Sequence, residues 1–148
     1  MNMLIVYPIL VFIAGAMTAY QPLINARLGQ NLDSPIWASF ISFAVGTVIL
    51  LIVGLLMNGK FMTLETEGLK WWMFSGGALG AVFVTLAIYA VPHLGVAVLV
   101  ALLIAGQLTF SAILDHYGVL SPQANPISMM KIAGMALLAM GAVMVLKG

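Results

Sequence analysis

The sequence predicts an all-α, polytopic integral membrane protein of five transmembrane helices, and three observations predict it. Of the 148 residues, 64% are hydrophobic and only 6% are charged, where a soluble domain carries about 25% charged residues. The mean hydropathy is +1.18. Apolar runs recur five times, each close to the ~20 residues that span a hydrocarbon core. So few charges cannot keep a surface wet, so the bilayer is the solvent. A net charge of +1 from five Lys and Arg assembles no basic patch, which excludes nucleic acid as a partner. With no Cys there is no disulfide framework, thiol nucleophile or thiolate metal site.

The first helix is expected over residues 3–25, with Pro8 in its first turn, where a missing N–H costs little. Its "MNM" start lacks the Lys or Arg of a secretory leader and more spans follow. Although "AMTA" offers small residues for cleavage, the segment reads as a retained helix. The second helix, 36–57, opens at "DSP", where Asp33 or Ser34 can cap it. The connection "NGKFMTLETEGLK" holds four charges and belongs in water. Trp71 to Leu114 would be ~66 Å as one helix, twice the hydrocarbon thickness. "VPHLG" at 91–95 supplies the fold-back, with Pro92 ending one helix and Gly95 loosening the return. That gives helices at 71–91 and 94–114. The loop "DHYGVLSPQANP" follows, and the fifth helix is 129–146. The whole of 1–148 reads as a single transmembrane domain without a convincing internal repeat. Trp37, Trp71 and Trp72 at helix starts, and Tyr20 and Tyr117 near helix ends, fit an interfacial aromatic belt.

Five spans put the termini on opposite sides. The N-terminal side then carries Lys60, Lys70 and Lys131, and the other side Arg27 and Lys147. Orientation follows the Lys and Arg bias, and three against two is nearly none. The expectation is dual topology, with copies pairing as an antiparallel homodimer that recreates the inverted repeat of larger transporters. The alternative is that the small bias, or Arg27 alone, fixes one orientation.

"GAMTAYQPLINARLG", "SPIWASFISFAVGT", "GGALGAVFVTLAIYAVPHLGVA" and above all "GQLTFSAILDHYG" resemble, in order and over essentially the whole chain, the YdcZ-like branch of the drug/metabolite transporter superfamily. The resemblance implies a multi-pass protein of the bacterial inner (plasma) membrane with five transmembrane helices. It also implies kinship with small multidrug exporters and with ten-helix transporters that look like a fused, inverted pair of such units. Small multidrug exporters carry a membrane-embedded glutamate in the first helix. Here Tyr7, Pro8, Gly15 and Thr18 occupy that region without a carboxylate, so proton-for-drug exchange through such a group is not expected.

Intramembrane polar side chains are costly and usually face a bundle interior or a wet cavity. Gln21 and Asn25 share a face of the first helix, with Arg27 just beyond, and Gln107, Ser111 and Asp115 form a stripe on the fourth. Pro22 also deprives the carbonyl of Thr18 of its amide. By the expected helix limits Gln21 lies ~9 Å, and Gln107 ~12 Å, from the nearer helix end. In an antiparallel pair the first-helix cluster of one copy is then level with the fourth-helix stripe of the other. Gln21, Asn25, Gln107 and Ser111 are the expected substrate cavity. Arg27 and Asp115 are possible inter-subunit or coupling groups. The plainer reading has the amides making interhelical hydrogen bonds worth ~0.6 kcal/mol each, with Arg27 and Asp115 in the headgroups.

Gly76 and Gly80 form a G-x-x-x-G step, and Gly15 with Ala19 and Ser42 with Gly46 are small pairs suited to helix packing. The fifth helix, with no polar side chain in its middle, suits dimer contact, and the many Met suit space filling. His93 and His116 are expected in separate loops without ligand-spaced partners, so no enzyme activity, cofactor or metal is expected. The expected function is small-molecule transport by alternating access across an antiparallel dimer, the partner being an identical chain or an oppositely oriented paralogue. With no mid-helix carboxylate, a neutral or amide-bound substrate is favoured over a bare strong cation. The competing readings are a non-transporting scaffold or accessory subunit, and a channel.

Overall fold

Where no water can pair its backbone groups a chain is confined to helices or a closed barrel, and this one is helical. The computed structural model describes residues 3–59, 68–119 and 126–148; Lys60 and most of the two polar connections lie outside them. Among the described residues five helices are long and apolar enough to cross a membrane. They are α1 (Met3–Asn31), α2 (Pro35–Asn58), α3 (Ser75–Leu94, led in by a 3-10 turn at Trp71–Phe74), α4 (Val96–Tyr117) and α5 (Met129–Lys147). All five expected spans are present, with different ends.

α1 runs six residues past Asn25, through Pro8 and Pro22. Each proline removes one ladder bond, a loss a membrane helix tolerates when the rest of the ladder holds. The helix stops where Leu32, Asp33 and Ser34 N–H groups turn back onto the carbonyls of Leu28, Gln30 and Gly29, with Asp33 in the left-handed region at φ 49°. Ser34, not Asp33, caps α2: its Oγ accepts from the Trp37 N–H at 3.3 Å. α3 runs through Pro92 to Leu94, so Pro92 is not the terminator. The fold-back falls on Gly95, whose φ of 75° needs a residue without Cβ. Ser128 caps α5 by accepting from the Lys131 N–H at 3.2 Å.

The chain divides into two compact units, Met1–His93 and Leu94–Gly148. In the first, α1 packs along α2, and the core gathers Ala38 of α2 with Val84 and Ile88 of α3, flanked by Leu28 and Phe83. Gly29 permits this approach: a Cβ there would lie 3.2 Å from Ile88 Cγ2. Gly80 does the same beneath Phe43, where a Cβ would meet Cζ at 3.2 Å. A short polar chain ties α3 to α2: Thr85 Oγ1 donates to Ser39 Oγ at 2.8 Å, and Ser39 Oγ donates to the Pro35 carbonyl at 3.0 Å. A Cβ at Gly15, Gly46 or Gly76 would meet nothing within 4 Å, so those three make no close approach among the described residues. In the second unit α4 packs along α5. His116 Nδ1 accepts from the Ile127 N–H at 3.3 Å, pinning the start of α5 to the end of α4. Both histidines stand in last helical turns, His93 in α3 and His116 in α4, rather than in loops.

Candidate functional site

The polar side chains of the spans fall into two places of different character. In the first unit Gln21, Pro22 and Asn25 of α1 face Phe83, Val84 and Ala87 of α3 across a seam with no room for a water molecule. Asn25 is only 5% exposed, and its Nδ2 finds no hydrogen-bond partner among the described residues. The facing α3 side chains are all apolar and offer no acceptor. Leaving such a donor unpaired costs about 1–3 kcal/mol. Gln21, one turn earlier, is exposed. Thr18, whose carbonyl Pro22 leaves without an amide, donates its own hydroxyl to the Gly15 carbonyl at 2.8 Å. Arg27 is exposed and donates to Gln30 Oε1 at 3.4 Å, a long and weak contact.

In the second unit α4 and α5 flank a groove of about 250 Å³ lined by Ser111, Asp115 and Lys131 with Leu108, Ala112, Gly134, Met135 and Leu138. Ser111 Oγ donates to the Leu108 carbonyl at 3.0 Å, which leaves its lone pairs for a second partner. Of the expected α4 stripe, Ser111 and Asp115 share this groove, while Gln107 is exposed outside its lining. Lys131 counted in the sequence only as a positive charge. Its place in the groove follows from two signals together: it is the third residue after a Ser cap, and the α4–α5 hairpin brings that turn beside Asp115.

A third concavity, about 240 Å³, opens at the C-terminal ends of α1 and α3 and includes Gln30, Asp33, Tyr89 and His93. None of these entered the expected site. The lengthened α1 also changes the depths. Gln21 now stands ten residues before Asn31, and Gln107 ten before Tyr117, about 15 Å from the end of each helix. Both amides therefore stand farther from the ends of their helices than the sequence suggested.

No group of three or more His, Asp or Glu among the described residues is arranged to hold a metal ion. The groove offers instead an anion, a cation and a hydroxyl beside apolar walls, a set suited to holding a small molecule. Residues 6–144 match the family model described as "Putative inner membrane exporter, YdcZ". No curated protein and no solved structure matches the chain. Because the family match runs from the first turn of α1 to the last turn of α5, the chain belongs to the YdcZ inner-membrane exporter family and is a multi-pass inner-membrane protein.

Proposed function

We propose that the chain moves a small molecule across the inner membrane as an antiparallel homodimer, by alternating access to a site near the midplane. The observation that carries this reading is a shared register. Gln21 and Asn25 on α1, and Gln107 and Ser111 on α4, have the same four-residue spacing, and the pairs lie at equal distances from the C-terminal ends of their helices. Successive spans alternate in direction, so α1 of one copy runs parallel to α4 of an inverted copy. Gln21 is then level with Gln107, and Asn25 with Ser111, across the pair. In an upright pair only the mid-span glutamines would be level. The near-equal positive charge on the two sides supports insertion both ways up, and opposed copies make the inverted repeat of larger transporters.

The substrate is small. The α4–α5 groove, at about 250 Å³, falls below the roughly 300–1,000 Å³ of pockets that take drug-sized ligands. One observation favours the scaffold reading in part: Asn25 sits in a dry contact, as a residue with a packing role would. Solute flux into liposomes separates the two. A transporter carries a screened small solute, and Gln107→Leu lowers that flux while leaving the thermal unfolding temperature unchanged. A scaffold carries nothing. Flux that survives Gln107→Leu undiminished removes the α4 stripe from the path.

A further inference from the structure

We propose that the α4–α5 groove is a binding site for a small zwitterion with an apolar body, Asp115 taking the ammonium group and Lys131 the carboxylate. For its physiological meaning this rests on the transporter reading; as a binding site it stands on the geometry of the second unit.

Both side chains break a local rule of helix electrostatics. The C-terminal end of a helix carries partial negative charge and the N-terminal end partial positive charge. Asp115 stands in the last turn of α4 and Lys131 in the first turn of α5, so each sits at the end whose sign it shares. Neither placement serves helix stability, and departures of this kind mark functional positions. Each placement does serve ligand recognition. The negative end of α4 reinforces Asp115 toward an ammonium group, and the positive end of α5 reinforces Lys131 toward a carboxylate.

The two charges line one groove together with Ser111 and apolar side chains. Lys131 has a contact of its own within the chain, so a ligand carboxylate binds by exchange. At a partly exposed site such an exchange costs little, because solvent already screens the contact that is given up. Leu108, Met135 and Leu138 cover an aliphatic body. A ligand with only one charge gains from only one of the two groove residues, and an uncharged one from neither.

The test uses the protein in lipid nanodiscs and four probes that share one branched 3-methylbutyl framework, the two acids adding the carboxylate carbon. These are leucine, 3-methylbutylamine, 4-methylpentanoate and 3-methylbutan-1-ol. Calorimetry or saturation-transfer NMR should show leucine binding at least about ten-fold tighter than either singly charged probe, and the alcohol weakest. Asp115→Asn should bring leucine down to the level of 4-methylpentanoate, and Lys131→Gln down to the level of the amine. Lys131→Arg, which keeps the charge, should keep the preference. Equal binding of all four probes, or no saturable binding of leucine to the unaltered protein, overturns the proposal. So does a leucine preference that both charge-removing variants leave intact, and thermal unfolding of each variant guards against misfolding. Leucine selectivity without flux in liposomes would keep the site and remove the transport reading. Flux without selectivity would do the reverse.

Discussion

The α1–α3 seam and the α4–α5 groove put similar polar residues to opposite use. Gln21 and Asn25 have the four-residue spacing of Ser111 and Asp115, yet the first pair borders a contact too tight for water and the second a groove of about 250 Å³. The difference lies in what the opposing helix presents. Near the seam α1 and α3 come close because Gly29 of α1 has no side chain to hold Ile88 of α3 off. At the groove α5 presents Gly134, and a Cβ there would meet nothing within 4 Å. Glycine thus closes one interface and opens the other. Polar spacing along a helix gives the face; the neighbour decides whether that face is dry or hollow.

The comparison can be broken most sharply at Gly134. A Cβ at this position meets nothing within 4 Å and a leucine side chain takes up groove space, so liposome flux should fall by about ten-fold or more while the protein unfolds no earlier. Undiminished flux would mean that the groove is not part of the path. Next in size is Gly29→Leu, which forces a side chain against Ile88 and should cost about 1–3 kcal/mol of stability in thermal or chemical unfolding. The same substitution at Gly76, with nothing within 4 Å, should cost no stability, and a loss there would mean that this face is covered by something other than its described neighbours. Thr85→Val removes the bond to Ser39 and should cost about 1 kcal/mol. The smallest effect has the opposite sign. Asn25→Leu removes an unpaired buried donor, so stability should stay the same or rise by up to about 1 kcal/mol, while flux falls if Asn25 meets substrate when the seam opens.

Much of the fold could be read from the chain. Five apolar runs and the start of α5 follow from composition, and capping chemistry narrows the start of α2 to Asp33 or Ser34, of which the structure selects Ser34. The misread ends have physical causes. "ARLGQN" continues α1 beyond the apolar run, where hydropathy carries no signal and the stop depends on backbone turns at Leu32–Ser34. Pro92 does not end α3, because a proline near a helix end removes a single bond, and the positive φ of the fold-back falls on Gly95. The site was legible only as faces. Gln21 and Asn25 share a stripe, but the burial of one and exposure of the other depend on where α3 lies. Lys131 joins Asp115 only once the hairpin is formed, across a loop whose length gives no register.

Seam and groove belong to separate units of one chain, and the account holds that two oppositely oriented copies bring the α1 amides of one level with the α4 stripe of the other. Orientation is therefore the point at which it is most directly exposed. The chain has no cysteine, so Gly148→Cys introduces a single thiol at the C-terminus. Labelling it with a membrane-impermeant maleimide, before and after permeabilising cells, counts the copies facing each way. With oppositely oriented copies, about half the thiols should react from outside and the rest only after permeabilisation, as near-equal flanking charge requires. Labelling that is complete, or absent, before permeabilisation would contradict it.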